Sequence, residues 1–268
     1  MNAPDLSSSY SLSSDQIKEY QANGHIFLKG LANTSEIAFY RQAILDAVHK
    51  MNTERRKMED RDTYGKAFLQ IFNLWRQNEI LKKFVLAKRF AQVASQLMGV
   101  EKVRLYHDQA LFKEPGGGHT PWHQDQYYWP LDTNNTVTMW MPLIDISKDM
   151  GIMNFASRSH KLGYVTSKEI SDESESFFKN FVKENNYPIS GAEVAHAGDA
   201  TFHSGWTLHN APANTSDKMR EVMTIIYYAD KTKVLEPDHE NRKADHRTWL
   251  MSVPPGEYAA SELNPLLG

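Results

Sequence analysis

Apolar residues in the first hundred positions recur at helical spacing, and after Gly99 they give way to short runs rich in β-branched and aromatic side chains. Ser13 and Gln16 make a capping box with Leu12 and Ile17 as its hydrophobic staple, so a helix begins there and should stop at Gly24. His25-Ile26-Phe27-Leu28 reads as a short strand. Asn33 and Glu36 open a second helix whose apolar stripe is Ile37, Tyr40, Ile44, Val48 and Met51. A further helical stretch covers about 88–98 and ends at Gly99. Strands are expected over 102–112, 136–144, 151–155, 200–202 and 219–228, separated by turns. The polar stretch 168–186 is a helix or a loop insertion. The first 12 residues are Ser-rich and read as a loose tail. Helices followed by a run of short strands predict a mainly β fold with helices, a sandwich or jelly roll buttressed by the N-terminal helices. No repeat or linker interrupts the chain, which implies one domain over 1–268.

Composition narrows the classes. Apolar residues make up 41% and charged residues 24%, which excludes a disordered or fibrous protein. Thirty Lys and Arg against 33 Asp and Glu leave a net charge of −3, without the basic excess that nucleic acid or an anionic membrane requires. No apolar run approaches the roughly 18 residues of a membrane span. The first residues lack the basic and apolar regions of a signal peptide, so a cytoplasmic location is expected. The chain has no cysteine. Disulfides, iron–sulfur clusters, Cys-ligated zinc and thiol nucleophiles are therefore out, and any metal falls to histidine and carboxylate.

The richest segment for chemistry is Pro121-Trp122-His123-Gln124-Asp125-Gln126-Tyr127-Tyr128-Trp129. In an extended stretch His123 and Asp125 leave on the same face and can take adjacent positions on a metal. A bare His-x-Asp arises about once by chance in such a composition, so it also fits a surface pair. His209, from a distant strand, would complete two imidazoles and a carboxylate, the facial triad of non-haem Fe(II) oxygenases, with positions left open for a co-substrate and O₂. Arg220, eleven residues later, offers a fork for a distal carboxylate, or is a surface cation at a strand end. The glycines of Pro115-Gly116-Gly117-Gly118 lack the Lys-Ser or Lys-Thr and the βαβ setting of a phosphate loop, and read as a flexible turn beside the site. His107, His119, His160, His196 and His203 are supporting or structural once the triad is complete.

His123, Asp125, His209 and Arg220 at these spacings resemble the phytanoyl-CoA dioxygenase superfamily of Fe(II)/2-oxoglutarate oxygenases. The likeness extends to Leu28-Lys29-Gly30, Lys113-Glu114-Pro115-Gly116, Trp122 to Asp125, the strand from Trp140 to Ile146, Ser159 to Gly163 and Ala197-Gly198-Asp199, in order across about 13–230. It implies a double-stranded β-helix (jelly-roll) core. It also implies iron held by His123, Asp125 and His209, and Arg220 on the distal carboxylate of 2-oxoglutarate. Gln109, Thr138 and Trp140 would line the co-substrate pocket. The implied reaction couples decarboxylation of 2-oxoglutarate by O₂, giving succinate and CO₂, to hydroxylation of a C–H bond, with ascorbate as reductant in vitro. Related halogenases carry a small residue where Asp125 stands, so its carboxylate favours hydroxylation.

The substrate is less constrained. Lys113, His119, Arg158 and His160 could meet a small anion, and Tyr127 to Trp129 could either face a substrate cation or pack in the core. The chain as a whole resembles the bacterial branch that hydroxylates 2-aminoethylphosphonate at the carbon bearing phosphorus, so a small-molecule substrate of phosphonate catabolism is the specific expectation. Another small metabolite or an acyl-CoA, an inert metal-binding jelly roll, and a cupin-like enzyme without 2-oxoglutarate are the alternatives. Oligomeric state, stereochemistry and pathway stay open, and 52–66 and 167–186 are the stretches suited to closing over the site.

Overall fold

The computed structural model describes residues 3–268. Its helices are α1 (Ser14–Asn23), α2 (Thr34–Met51), α3 (Thr63–Ala67), α4 (Glu79–Val85), α5 (Lys88–Met98), α6 (Asp172–Glu184) and α7 (Glu240–Trp249). Its strands are β1 (His25–Leu28), β2 (Leu69–Phe72), β3 (Val103–Phe112), β4 (Thr120–His123), β5 (Thr136–Pro142), β6 (Ile146–Ser147), β7 (Asn154–Ala156), β8 (Ile189–Gly191), β9 (Val194–Ala195), β10 (Ala200–Ser204), β11 (His209–Ala211), β12 (Val222–Ala229) and β13 (Leu266–Leu267). Both expected capping boxes form, at Ser13/Gln16 and Asn33/Glu36, and Gly24 and Gly99 end their helices in the left-handed conformation.

A seven-stranded antiparallel sheet in the order β1-β10-β5-β12-β3-β13, with β2 also paired to β3, faces a four-stranded sheet β4-β11-β7-β8. This is the jelly-roll arrangement that the order of elements predicts. Alternation along the strands divides the large sheet into two faces. Val137, Met139 and Met141 of β5, Met223, Ile225 and Tyr227 of β12 and Phe202 of β10 pack against the helices, where Phe90, Val93 and Leu97 of α5, Ile37, Tyr40 and Ile44 of α2 and Phe84 of α4 meet them. Each such fully buried side chain contributes about 1.5–3 kcal/mol. The intervening residues, Thr138, Trp140, Thr224 and Ile226, face the small sheet and line a cavity.

A bulge on β3 sets what reaches that cavity. Ile226 pairs with His107 but Tyr227 pairs with Leu105, which leaves Tyr106 as the extra residue and reverses the strand's parity. Val103 and Leu105 therefore face the helices, whereas His107, Gln109 and Leu111 face the cavity. The buried Asn264 side chain holds the bulge by donating to the carbonyls of Leu105 and Tyr106 at 3.1 and 3.3 Å.

Two expectations change. The N-terminal segment has no regular structure from residue 3 to 13, yet it is not loose. Leu6 is buried, the Tyr40 hydroxyl donates to the Pro4 carbonyl at 2.6 Å, and Arg89 donates to the Ser8 carbonyl at 3.0 Å. Arg89 also forms a two-pronged pair with Glu36, at 2.8 and 3.0 Å, tying the second capping box to α5. The stretch after 230, for which the pattern gave no element, forms α7 and β13.

Asp108 is wholly buried and accepts the Leu74 amide at 2.9 Å. Burial pushes its carboxyl up to about 7. The folded chain then keeps a proton there that the unfolded chain releases near pH 4, so this group stabilises the fold at low pH and the contribution is lost as pH rises towards 7. Thermal or urea unfolding between pH 4.5 and 6.5 should show a component of about −1.4 kcal/mol per pH unit from this group. Asp108→Asn, which keeps an acceptor for Leu74, should remove that component.

Candidate metal centre and its cavity

His123 ends β4 and stands directly opposite His209 on β11. The ring centroids are 4.1 Å apart. Each imidazole is oriented by the backbone two residues before it: Nδ1 of His123 donates to the Pro121 carbonyl at 2.7 Å, and Nδ1 of His209 donates to the Thr207 carbonyl at 2.9 Å. A carbonyl can only accept, so both protons sit on Nδ1 and both Nε2 lone pairs are free for a metal. Gln124 remains extended and turns its side chain the other way, onto the carbonyls of Gly163 and Trp206. Asp125 thus leaves on the His123 side just as the chain enters a 3-10 turn. Its Oδ1 lies 3.3 Å from His123 Nε2 and 3.5 Å from His209 Nε2, and the three donor atoms fall within 4.8 Å of one another.

The other oxygen of Asp125 is engaged from the large sheet. Thr138 donates its hydroxyl to Oδ2 at 3.0 Å, and His203 Nε2 lies 3.3 Å from the same atom. Thr138 and His203 are cross-strand partners on β5 and β10. Burial opposes ionisation of Asp125, but the imidazoles of His209, His123 and His203 outweigh it and hold the carboxyl well below its usual range. Burial, then His123, holds His209 well below its ordinary value and hence neutral. A neutral imidazole with a free Nε2 beside an ionised carboxylate is the protonation state a divalent ion needs. The site fits the non-haem iron donor set.

Arg220 is buried in the same cavity, its guanidinium 5.5 Å from the Trp140 ring. Nη1 donates to the Gly151 carbonyl at 2.5 Å, whereas Nε has no partner. Gly151 has φ +80°, and a side chain there would strike the Pro212 carbonyl, so glycine is required to hold this carbonyl on Arg220. Burial lowers the guanidinium to about 9, and it remains charged at neutral pH. A buried cation with a free donor suits a carboxylate. Gln109, Thr138 and Trp140 line the cavity as expected, but the Thr138 hydroxyl is spent on Asp125 and Gln109 Oε1 accepts from Gln70 Nε2 at 2.5 Å.

The cavity holds about 500 Å³. None of the five residues expected to touch substrate lines it. Lys113 is fully buried, because β3 continues past Phe112 to pair with Arg220 and its ammonium turns to the Gly118 and Pro212 carbonyls at 2.5 and 3.2 Å. His119 belongs to the turn that leads into β4. Of Tyr127 to Trp129, Tyr127 stacks on His239 at 4.4 Å, in the packing role left open for it, whereas Tyr128 and Trp129 line the cavity. Arg158 is exposed at a left-handed turn, and His160 packs on Gly24, where its ring fills the space a side chain would need. The residues that do line the cavity include Tyr64, Phe72, His107, Asp245 and Trp249, which no local motif marks. Strand parity could have found Phe72 beside Gln109. The bulge hid His107, and α7 lacks an apolar stripe. The stretches suspected of covering the site meet at its mouth: Asp62 and Glu169 both line it, and the Thr63 hydroxyl donates to Asp172 at 3.2 Å.

With this geometry in place, comparison with known proteins decides the family. The profile described as phytanoyl-CoA dioxygenase (PhyH) matches residues 20–222. The chain belongs to the phytanoyl-CoA dioxygenase family. It is an enzyme of the Fe/2-oxoglutarate-dependent dioxygenase class. Relatives of this phytanoyl-CoA dioxygenase family member include a probable alpha-ketoglutarate-dependent hypophosphite dioxygenase of Stutzerimonas stutzeri, 24% identical over 80% of this chain and 78% of that protein. An ectoine dioxygenase of Bordetella parapertussis is 24% identical over 88% and 82%, and a 2-aminoethylphosphonate dioxygenase from an uncultured bacterium is 23% identical over 80% of each. Among solved structures, the non-heme alpha ketoglutarate dependent carbocyclase SnoK from nogalamycin biosynthesis superposes with a TM-score of 0.78 at 23% identity, covering 96% of this chain and 97% of that one. EctD from S. alaskensis with 2-oxoglutarate and 5-hydroxyectoine gives 0.69 at 17% identity, covering 89% and 86%. Among the described residues no helix is long and apolar enough to cross a membrane.

Anaerobic titration with Fe(II) should show a single tight site that His209→Ala and Asp125→Ala each abolish. Thr138→Val, which leaves all three donor side chains in place, should weaken the metal by about tenfold by releasing Asp125.

Proposed function

We propose that this family member is an Fe(II)- and 2-oxoglutarate-dependent hydroxylase acting on a C–H bond of a small polar molecule, as one oxygenase domain over 1–268. The observation that carries the reading is the convergence of two imidazole Nε2 atoms and one carboxylate oxygen in the same cavity as a buried guanidinium with an unpaired N–H. His123, Asp125 and His209 would hold the iron, and Arg220, braced by Gly151 and lying over Trp140, would take the distal carboxylate of 2-oxoglutarate. Iron bound there with 2-oxoglutarate and O₂ supplies the oxidant for hydroxylation, with succinate and CO₂ as co-products.

The protein's own residues set the conditions for that chemistry. The two Nδ1–H donors fix both imidazoles in the ligating tautomer. Thr138 and His203 occupy one oxygen of Asp125, and the other stays turned towards the imidazoles. The presence of Asp125 at this position favours hydroxylation over halogenation. Trp140 and Arg220 are almost wholly shielded from solvent, so a carboxylate bound there meets a fork undiluted by water.

2-Aminoethylphosphonate is the finer reading, supported by the 23% identity to an enzyme of that name and by a cavity sized for a small molecule. Against it, the cations expected to meet its phosphonate lie outside the cavity. Succinate release with Fe(II), ascorbate and 2-oxoglutarate, measured with and without 2-aminoethylphosphonate, tests both levels. Stimulation by the phosphonate supports the class and the substrate together. Slow release indifferent to it keeps the class and discards the substrate. Metal binding with no succinate at all would mean an inert scaffold. Arg220→Ala should raise KM for 2-oxoglutarate by about tenfold or more. If that variant keeps full activity and the same co-substrate dependence, the 2-oxoglutarate assignment fails.

A further inference from the structure

The helix α7 lies beyond the residues matched to the family, yet it forms a wall of the cavity. Asn241, Asp245 and Trp249 stand at i, i+4 and i+8, and a single face of the helix therefore looks inward. Its position follows from the strand register. Thr138, which bonds Asp125, is followed across the sheet by Ile226 and then His107, and the Trp249 ring lies 4.7 Å from the His107 ring. Two strand spacings, about 10 Å, separate Thr138, which bonds Asp125, from His107, on which this wall rests. Phe72 lies 4.8 Å from Trp249 and completes an aromatic corner.

The charges in the cavity are lopsided. Asp62, Glu169 and Asp245 line it beside Asp125, and among the described residues Arg220 is the only Lys or Arg in the lining. The bases of α7 do not enter the cavity: Arg242 donates to the Tyr127 carbonyl and pairs with Asp238, Lys243 pairs with Glu240, and Arg247 is exposed outside the lining. Fe(II), Asp125, 2-oxoglutarate and Arg220 cancel in formal charge; Asp62 and Glu169 are exposed, Asp62 capping α3 near Arg56, which leaves Asp245 as the half-buried carboxylate of the lining without an ion-pair partner among the described residues. Two polar groups here also lack partners. His107 is only 4% exposed and its Nδ1 bonds nothing, and Asn241 Nδ2 is buried and unpaired. Asp245 is already oriented, accepting the Tyr106 hydroxyl at 2.9 Å. Burial pushes its carboxyl up to about 7, a penalty that an incoming cation would relieve.

We infer that the α7 wall is a recognition site for a cationic nitrogen of the substrate, a protonated amine or amidinium held by Asp245 against the faces of Trp249 and Phe72. The inference deepens the hydroxylase reading and rests on it: a substrate anchored here presents a C–H bond to the triad about two strand spacings away. A carboxylate backed by aromatic faces selects a cation and rejects an anion, because an anion would be desolvated beside the Asp245 carboxylate.

The test is calorimetric titration of the Fe(II)- and 2-oxoglutarate-loaded protein, without O₂, using three probes of one chain length: butylammonium, butyrate and butylphosphonate. Butylammonium should bind about tenfold tighter than either anion, and Asp245→Asn, which still accepts from Tyr106, should erase that preference. Asn241→Asp, which adds a carboxylate one helical turn away on the same exposed helix, should strengthen the preference severalfold. Binding of 2-oxoglutarate should stay within about twofold in both variants, since they touch neither Arg220 nor the triad. Equal or tighter binding of an anion, no binding by any probe, or an unchanged preference in both variants overturns the inference. Titration of 2-oxoglutarate comes first. Its failure would sink the hydroxylase reading separately, and the cation preference would then be read on the protein alone.

Discussion

The site depends on one cross-strand pair, His123 opposite His209, in the small sheet. Two histidines at a directly opposed position bring their rings within contact, but the pairing alone does not make them ligands. What suits them to that role is the Nδ1–H bond each ring returns to the carbonyl two residues earlier in the chain. The preceding backbone thereby fixes the tautomer, the ring angle and the direction of the free lone pair. Asp125 closes the triangle because Gln124 is extended and the turn begins immediately after it. These are local, short-range constraints, and they hold whether or not the more distant parts of the cavity are filled.

The large sheet contributes the second half of the centre through its register. One row across it runs His203, Thr138, Ile226, His107, and the next runs Thr201, Trp140, Thr224, Gln109, Phe72. The first row meets Asp125 at Thr138 and His203, and the second carries the Trp140 surface on which Arg220 lies. A slip of one residue in β5 would turn both Thr138 and Trp140 to the helices and bring Met139 into the cavity. The apolar face that α2, α4 and α5 cover is thus what keeps the polar face in place. The Tyr106 bulge sits inside this pattern and exchanges parity on β3 alone, which places His107 in the cavity and aims the Tyr106 hydroxyl at Asp245.

This division explains which features were legible in the sequence. Helix starts were readable because a capping box is local: Ser13 with Gln16 and Asn33 with Glu36 carry their own signal. The convergence of His123, Asp125 and His209 with Arg220 in one cavity was readable through their spacing and the family likeness. The substrate end was not. Lys113, His119, Arg158 and His160 are near the triad in sequence, but proximity along the chain does not say which way a side chain turns, and Lys113 turns to backbone carbonyls behind the wall. Trp249 and Asp245 lie more than a hundred residues from Asp125, on a helix with no buried residue and no apolar stripe. Only the bulge, pinned by Asn264, and the return of the C-terminal segment over β3 bring them in.

The two ends of the cavity therefore answer to different constraints. At the triad, every charge has a counterpart once metal and co-substrate are counted, and His123, His209 and Asp125 are each held by a backbone carbonyl or by a side chain of the large sheet. That end is set by geometry a strand register enforces, and it tolerates little change. Around α7, the Asp245 carboxyl and two unpaired polar atoms, on His107 and Asn241, face the cavity, which in a free cavity costs stability without a structural return. A helix that touches the site with three side chains one turn apart can change those side chains without disturbing the sheet. On the proposed reading the metal end determines what reaction is possible, while the recognition of the molecule that undergoes it is carried by a segment the register does not constrain.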